Sequence, residues 1–302
     1  MPHLHHNLRV IQYNIHRFLD KSGSSTLSQI SHALESLSPD VLTLNEMDIT
    51  TTPTAFEHLS NTLNLPHVEF FGHVKERYGN AILSKYPLTR TLSTHLRGGT
   101  ELEFPPGTLK LNGDISKLGE KHRIVRGLVV VEMNHPVAGK ILIGCTHLDH
   151  IDIEQRKVQL QHIVESFQAS DDRPAILSGD FNALRRNDYS GKQWKALEDR
   201  ARENKWSPPS FGDLDMLISS GFVDSGLVES GGESGASNES KFTAPTEEDS
   251  MYRIDYCFLK SNSDVDILPL KCYPDTTIAL SDHYPLVVDL ELTCKGGTRN
   301  KL

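Results

Sequence analysis

Long apolar runs are missing from this 302-residue chain: none reaches the ~20 residues that a membrane-spanning helix needs. An apolar N-terminal core is missing too. Met1 to Asn7 carries His3, His5 and His6 instead, so no secretory leader is visible and a cytoplasmic or other intracellular location is expected. Those histidines can bind metal, but they read more simply as a flexible tip. Cysteine is scarce: Cys145, Cys257, Cys272 and Cys294 include no CxxC pair, and the first two lie in strand-like apolar runs. They read as buried free thiols in a reducing compartment. No period of 20 to 50 residues recurs, which argues against a solenoid or propeller.

Positive charge is also short. Lys and Arg number 31 against 40 Asp and Glu, a net charge of −9. A protein that grips duplex nucleic acid over its whole surface shows a basic face, so the balance weighs against that role. Local basic loops can override it, and a metal site itself adds acidic residues. No interleaving of aromatic and basic residues signals a single-strand stacking platform. No basic amphipathic helix points to a membrane surface.

What remains is an ordinary globular composition, 24% charged and 37% hydrophobic. Apolar runs at 8–15, 41–44, 80–84, 127–133, 140–146, 175–177, 253–259 and 286–292 predict strands. Helical spacing, as in Ile30, Ala33, Leu34 and Leu37, predicts helices over 28–36, 55–63, 153–167 and 214–221. Residues 97–121, 183–213 and 229–240 read as loops. No linker divides the chain. One α/β domain over 8–293 is expected, with two stacked sheets, outer helices, and flexible termini at 1–7 and 294–302. It is expected to be a monomer.

Four polar clusters stand at the ends of apolar runs: Tyr13-Asn14-Ile15-His16, Asn45-Glu46-Met47-Asp48, Ser178-Gly179-Asp180-Phe181-Asn182 and Ser281-Asp282-His283-Tyr284. A buried strand ends in carboxylates at a cost unless they meet water, metal or a charged ligand. Clusters so far apart in the chain meet only if their strands lie side by side. Mg²⁺ binds through one or two carboxylates plus phosphate oxygens, so Glu46 is a candidate ligand, or else a turn residue. Asn14 can hold a phosphate oxygen without repelling it. Asp48 is a further acid that reads more simply as a loop residue, and His16 as a surface histidine. Asp180 and Asn182 share one side of an extended chain; Asp180 can orient a water or bind the cation, and Asn182 can contact phosphate. Gly179 permits close approach of another backbone.

His283 suits charge chemistry at a phosphoryl group if its second ring nitrogen has an acceptor. Asp255, inside an apolar run, is the natural one, since an unpaired carboxylate there is costly. His147 either donates to a developing negative oxygen or is a satisfied core histidine. Asn80 either reaches the scissile phosphate or forms a turn. Arg126 either grips phosphate bidentately or makes a surface ion pair.

Taken in order, Tyr13-Asn14-Ile15, Asn45-Glu46, Tyr78-Gly79-Asn80, Thr146-His147-Leu148, Ser178-Gly179-Asp180-Phe181-Asn182, Arg253-Ile254-Asp255-Tyr256 and Ser281-Asp282-His283 resemble the endonuclease/exonuclease/phosphatase superfamily over residues 8 to 292. This is the group of deoxyribonuclease I, apurinic endonucleases, inositol polyphosphate 5-phosphatases, neutral sphingomyelinases and deadenylases. The resemblance implies a four-layer α/β sandwich, two mixed sheets inside and helices outside. It implies Glu46 as metal ligand with Asn14 and Asp282 nearby, His283 with Asp255 as a catalytic dyad, and Asp180 with Asn182 orienting nucleophile and phosphate. His147 matches the deoxyribonuclease-like members, where apurinic endonucleases have a tyrosine. The implied activity is Mg²⁺-dependent hydrolysis of a phosphodiester, with Mn²⁺ as the substitute ion and nucleic acid or a small phosphorylated molecule as substrate. The alternatives are a phosphomonoesterase or sphingomyelinase-like enzyme, and a non-catalytic scaffold of the same fold.

Overall fold

The computed structural model describes residues 5–103, 106–107, 120–169, 172–203, 208–227, 241–246 and 251–295. The expected loop at 229–240, much of that at 97–121, and the ends 1–4 and 296–302 lie outside them. The first half of the chain forms β1 (His5–Asn14), α1 (Leu27–Leu37), β2 (Val41–Asp48), α2 (Ala55–Leu63), β3 (His67–Val74), β4 (Tyr78–Ser84) and β5 (Leu88–His95). A small ribbon follows, β6 (Glu101–Glu103) and β7 (Lys121–Arg123). Then come β8 (Gly127–His135), β9 (Gly139–His147), α3 (Ile153–Gln168), β10 (Ala175–Asp180), α4 (Gly191–Glu203) and α5 (Asp215–Ser219). The chain closes with β11 (Val223–Asp224), β12 (Asp255–Lys260), β13 (Val265–Pro274) and β14 (Leu286–Cys294).

Two six-stranded mixed sheets stack face to face, in the orders β13-β14-β1-β2-β4-β3 and β11-β12-β10-β9-β8-β5. β1 runs parallel to β2, and β9 parallel to β10, while their other neighbours are antiparallel. Consecutive side chains on a strand point to opposite faces, and here both faces are covered. Val10, Val41, Val129, Ile143 and Ile176 fill the space between the sheets. Their neighbours Ile11 and Leu42 pack outward with Ile30, Leu34 and Leu59 of α1 and α2. Leu128, Leu142 and Leu177 pack outward with Leu160, Ile163 and Phe167 of α3. Each such burial is worth about 1.5–3 kcal/mol. This two-sided burial is why interior strands read as unbroken apolar runs.

Several expectations change. β1 starts at His5 and pairs with Thr293, and β14 runs through Cys294, so strand pairing passes both expected domain limits. β2 continues to Asp48, and β4 begins at Tyr78 rather than at 80. β12 begins at Asp255, so Arg253 precedes it. The stretch 183–213 holds α4, whose Trp194, Leu197 and Ala201 are buried.

Register brings the polar ends together. Asn14 stands opposite Asn45, and Asp180 stands opposite both His147 and Asp255. Beneath them a polar layer crosses between the sheets: Thr43 Oγ1 meets Ser178 Oγ at 2.9 Å, and Gln12 Nε2 donates to Asn45 Oδ1 at 2.6 Å. Asn45 also accepts from the Asp180 N–H at 2.8 Å and donates to the Thr146 carbonyl at 2.9 Å. A buried polar group without a partner costs about 1–3 kcal/mol; these groups partner one another and fix the polar ends of both sheets.

Candidate active site

Asp180 is the meeting point. Its Oδ2 accepts from Asn14 Nδ2 at 3.1 Å and lies 3.4 Å from His147 Nε2 and 3.7 Å from His283 Nε2. Gly179 allows the strand to come this close, since a Cβ there would sit 1.9 Å from the Thr146 carbonyl oxygen. Asn182 reaches the cleft by a different route from strand alternation. Its backbone is left-handed (φ 49°), and its N–H donates to Asp180 Oδ1 at 3.0 Å, forming an Asx turn.

The two histidines carry different charges. Fully buried Asp255 holds His283 Nδ1 at 2.7 Å through Oδ2. Burial pulls the His283 pKa down, but the charge and hydrogen bond of Asp255, with Asp180 behind it, carry it up to about 10. His283 is therefore an imidazolium. Burial, and then Arg126, push His147 well below the usual histidine range. Arg126 Nη1 lies 3.3 Å from His147 Nδ1; a guanidinium only donates, so Nδ1 accepts and the neutral ring presents Nε2–H toward Asp180. Burial raises the Asp180 carboxyl to about 7, against the pull of the His283 charge and with the help of Asp255.

Glu46 stands beside this group on a bulge. Register between β2 and β4 shifts between Leu44 and Met47, and Glu46 takes φ 61°. Bulges re-aim side chains at functional sites. Glu46 Oε1 accepts from Asn14 Nδ2 at 3.3 Å. His16 Nδ1 lies 3.7 Å from Glu46 Oε2 and 3.5 Å from Asp282 Oδ2. Asn14 turns its amide nitrogen to the two carboxylates, while its Oδ1 accepts from the His16 N–H. So oriented it bridges acids and offers no oxygen to a cation.

Do these residues fit a divalent ion? Asp180, Asp255 and His283 have ligand-type atoms within 4.8 Å of one another. His283 Nδ1 is committed to Asp255, however, which makes that trio a dyad facing a carboxylate. Glu46 and Asp282 are more open, and among the described residues no lysine or arginine pairs with either. Converging carboxylates without a fixed cation, at a cleft edge where water reaches, suit a cation that keeps several waters.

The cleft above them has a volume of about 1200 Å³. Glu46, Asp180, Asn182, His147 and His283 line it, with Arg126 in its wall. Arg126 is buried, and Nη2 also lies 3.1 Å from His150 Nδ1. Among the described residues it has no carboxylate partner, so it is not the surface ion pair considered from sequence. Asn80 does not reach the cleft. It is fully buried, accepting from Asn45 Nδ2 at 2.9 Å and donating to the Gly127 carbonyl at 2.8 Å. Its neighbour Tyr78 lines the cleft instead and bonds Glu46 and Arg126. Burial, and then the Glu46 charge, raise the Tyr78 pKa well above normal, so the phenol stays a donor. Asp48 caps its own loop, accepting from Thr50 N at 2.9 Å. Asp149 accepts from the N–H groups of Thr100, Ile151 and Asp152.

His73 in the same wall yields a stability prediction. Among the described residues neither ring nitrogen has a hydrogen-bond partner, and burial, then Arg126 and His95, depress its pKa to about 3. Below pH 6.5 the unfolded chain takes up a proton that the folded protein refuses, so stability falls as pH drops from 6.5 toward 3. His73→Phe should flatten the fall in Tm between pH 6.5 and 4, removing at most ~1.4 kcal/mol per pH unit. An unchanged slope would contradict this account of His73.

Comparison with known proteins follows the geometry. No curated protein matches the sequence. Among solved structures, an endonuclease/exonuclease/phosphatase from Beutenbergia cavernae superposes with TM-score 0.63 at 19% identity, covering 95% of this chain and 72% of that one. One from Bacteroides vulgatus gives 0.60 at 16% identity, covering 95% and 99%. Truncated TDP2 from Caenorhabditis elegans gives 0.55 at 15% identity, covering 94% and 97%. These likenesses establish the fold. Among the described residues no helix is long and apolar enough to cross a membrane. The family model described as Endonuclease/Exonuclease/phosphatase matches residues 11–283, from the first buried strand to His283, and the chain belongs to that family.

Proposed function

We propose that the protein hydrolyses phosphodiesters by single in-line attack of water, with Mg²⁺ or Mn²⁺ as cofactor. The observation that carries this reading is the node at Asp180, where a neutral histidine, an imidazolium and an asparagine amide face one carboxylate oxygen. A carboxyl raised to about 7 suits a general base near neutral pH. Asp180 orients the water and takes its proton as the bond to phosphorus forms, while the P–O ester bond opposite breaks and the ester oxygen leaves, taking up a proton from solvent. The His283 imidazolium and His147 Nε2–H offset charge on the equatorial oxygens, and Arg126 adds a fixed positive charge behind them. Donors of this kind are worth about 10²–10³ in rate each. A divalent ion held by Glu46 and Asp282 would supply Lewis-acid stabilisation of the phosphoryl oxygens. The cleft also receives Arg17, Lys75, Arg97 and Arg123. This local positive lining runs against the net charge of −9 and favours an anionic substrate.

The test is hydrolysis across plasmid DNA, RNA, inositol phosphates and sphingomyelin. Product from at least one diester supports the proposal; turnover of monoesters alone would replace it with a phosphatase. Glu46→Gln should raise the half-saturating Mg²⁺ concentration by roughly tenfold or more, the scale seen when support of a metal site is lost. An unchanged Mg²⁺ titration would remove Glu46 from the site.

A further inference from the structure

We infer that His16 is a nitrogen ligand of the cation site, and that it tunes the site toward Mn²⁺ and other imidazole-tolerant ions rather than toward Mg²⁺. The inference deepens the reading above, on which it rests for the place of the ion. His16 follows Asn14 on the turn that leaves β1, in an Asn14-Ile15-His16 segment whose residues were expected to supply only the amide. His16, Arg17 and Phe18 all take positive φ (43°, 60° and 55°). The Asn14 side-chain Oδ1 accepts the His16 N–H at 3.2 Å and fixes the turn. The turn carries the imidazole between two acids from distant parts of the chain, Nδ1 lying 3.7 Å from Glu46 and 3.5 Å from Asp282. The side chain is 40% exposed, so water reaches the ring.

Two chemistries satisfy that geometry. A protonated His16 is an internal counter-ion that links the carboxylates and competes with a metal. A neutral His16 is a third donor to one. Two features favour the second. Asn14 turns a donor, not an oxygen, toward Glu46 and Asp180, which removes the neutral oxygen ligand expected there. His16 also lines the same cleft as Glu46 and brings a nitrogen donor beside the two carboxylates. Hard Mg²⁺ and Ca²⁺ take oxygen ligands, whereas imidazole suits later first-row ions and affinities rise along that series. A mixed set of two carboxylates and one imidazole therefore discriminates against Mg²⁺.

The experiment uses full-length metal-free protein loaded with Mn²⁺ alone. Binding is followed by the free-ion EPR signal, and ligation by ¹⁴N modulation in pulsed EPR. Wild type should show nitrogen coupling. His16→Asp, which keeps an oxygen donor, should still bind Mn²⁺ but lose that coupling. The ratio of Mg²⁺ to Mn²⁺ dissociation constants should fall by about tenfold, the scale of a lost ligand support. Coupling that persists unchanged in His16→Asp would assign the nitrogen to His147 or His283 and overturn the inference. Bound Mn²⁺ without nitrogen coupling in wild type overturns it as well, making His16 a counter-ion. The readout needs no turnover. Nitrogen-ligated Mn²⁺ in a protein that hydrolyses no phosphoester would sink the proposed function and leave this inference standing. Hydrolysis with an oxygen-only ion would do the reverse.

Discussion

His283→Asn should lower turnover by about 10²–10³-fold, the range of a lost charge-stabilising donor, while the protein keeps its thermal transition. The asparagine amide nitrogen falls near the place of ring Nδ1, so it can still donate to Asp255 Oδ2, the partner now held at 2.7 Å. What vanishes is Nε2 and its positive charge beside Asp180. His283→Ala separates the two roles. It strands the fully buried Asp255 carboxylate without its donor, and removing one member of a buried pair costs about 3–5 kcal/mol. Both variants should be inactive, but only the alanine variant should melt much earlier. An asparagine variant that turns over at the wild-type rate would show the dyad to be structural.

Asp180→Asn should lose a similar factor in rate and gain stability. Its carboxyl is raised from 3.8 to about 7, so its contribution to stability is complete below pH 3.8 and is lost as pH climbs through 7. An asparagine there pays no such penalty, and metal-free Asp180→Asn should melt higher than wild type above pH 7. Activity moves the other way. A base must be ionised to work, so the wild-type rate should rise with pH toward a plateau past 7, and the variant should lack that limb. Asp180 and His283 share charge, so the limb reports the pair rather than one residue. A variant that is less stable than wild type and retains the rising limb would contradict both statements. Activity bought with stability at one buried acid is the trade expected of a catalytic group.

Legibility from sequence follows burial. Each strand read from an apolar run is interior to a sheet: β1, β2, β4, β14 in the first and β8, β9, β10, β12 in the second. The strands β3, β5, β11 and β13, not expected, are the sheet edges. Edge strands are half wet, as in Leu88-Thr89-Arg90-Thr91 of β5, and carry no continuous apolar signal. α4 was hidden by its polar face, though Trp194, Leu197 and Ala201 have helical spacing. The Asp255–His283 pair was legible because a carboxylate inside an apolar run demands a partner. Asn80 against Tyr78 was not: the two share one face of β4, and only the folded chain shows that Asn80 is held by Asn45 and the Gly127 carbonyl while Tyr78 lies at the cleft. His16 was read as surface for the same reason: its place depends on a left-handed turn that only the folded chain displays. The polar layer of Gln12, Thr43 and Ser178 was not read from the sequence, because a lone polar residue inside a strand does not say which neighbour it meets.

The most direct measurement is hydrolysis of bis-p-nitrophenyl phosphate by wild type and Asp180→Asn, in Mg²⁺ or Mn²⁺ and in EDTA. If strand ends from both sheets build one cation-assisted hydrolytic centre around Asp180, wild type releases p-nitrophenol only with the ion, EDTA stops release, added ion restores it, and the variant stays silent. Release that ignores EDTA, or that survives loss of the Asp180 carboxylate, would contradict it.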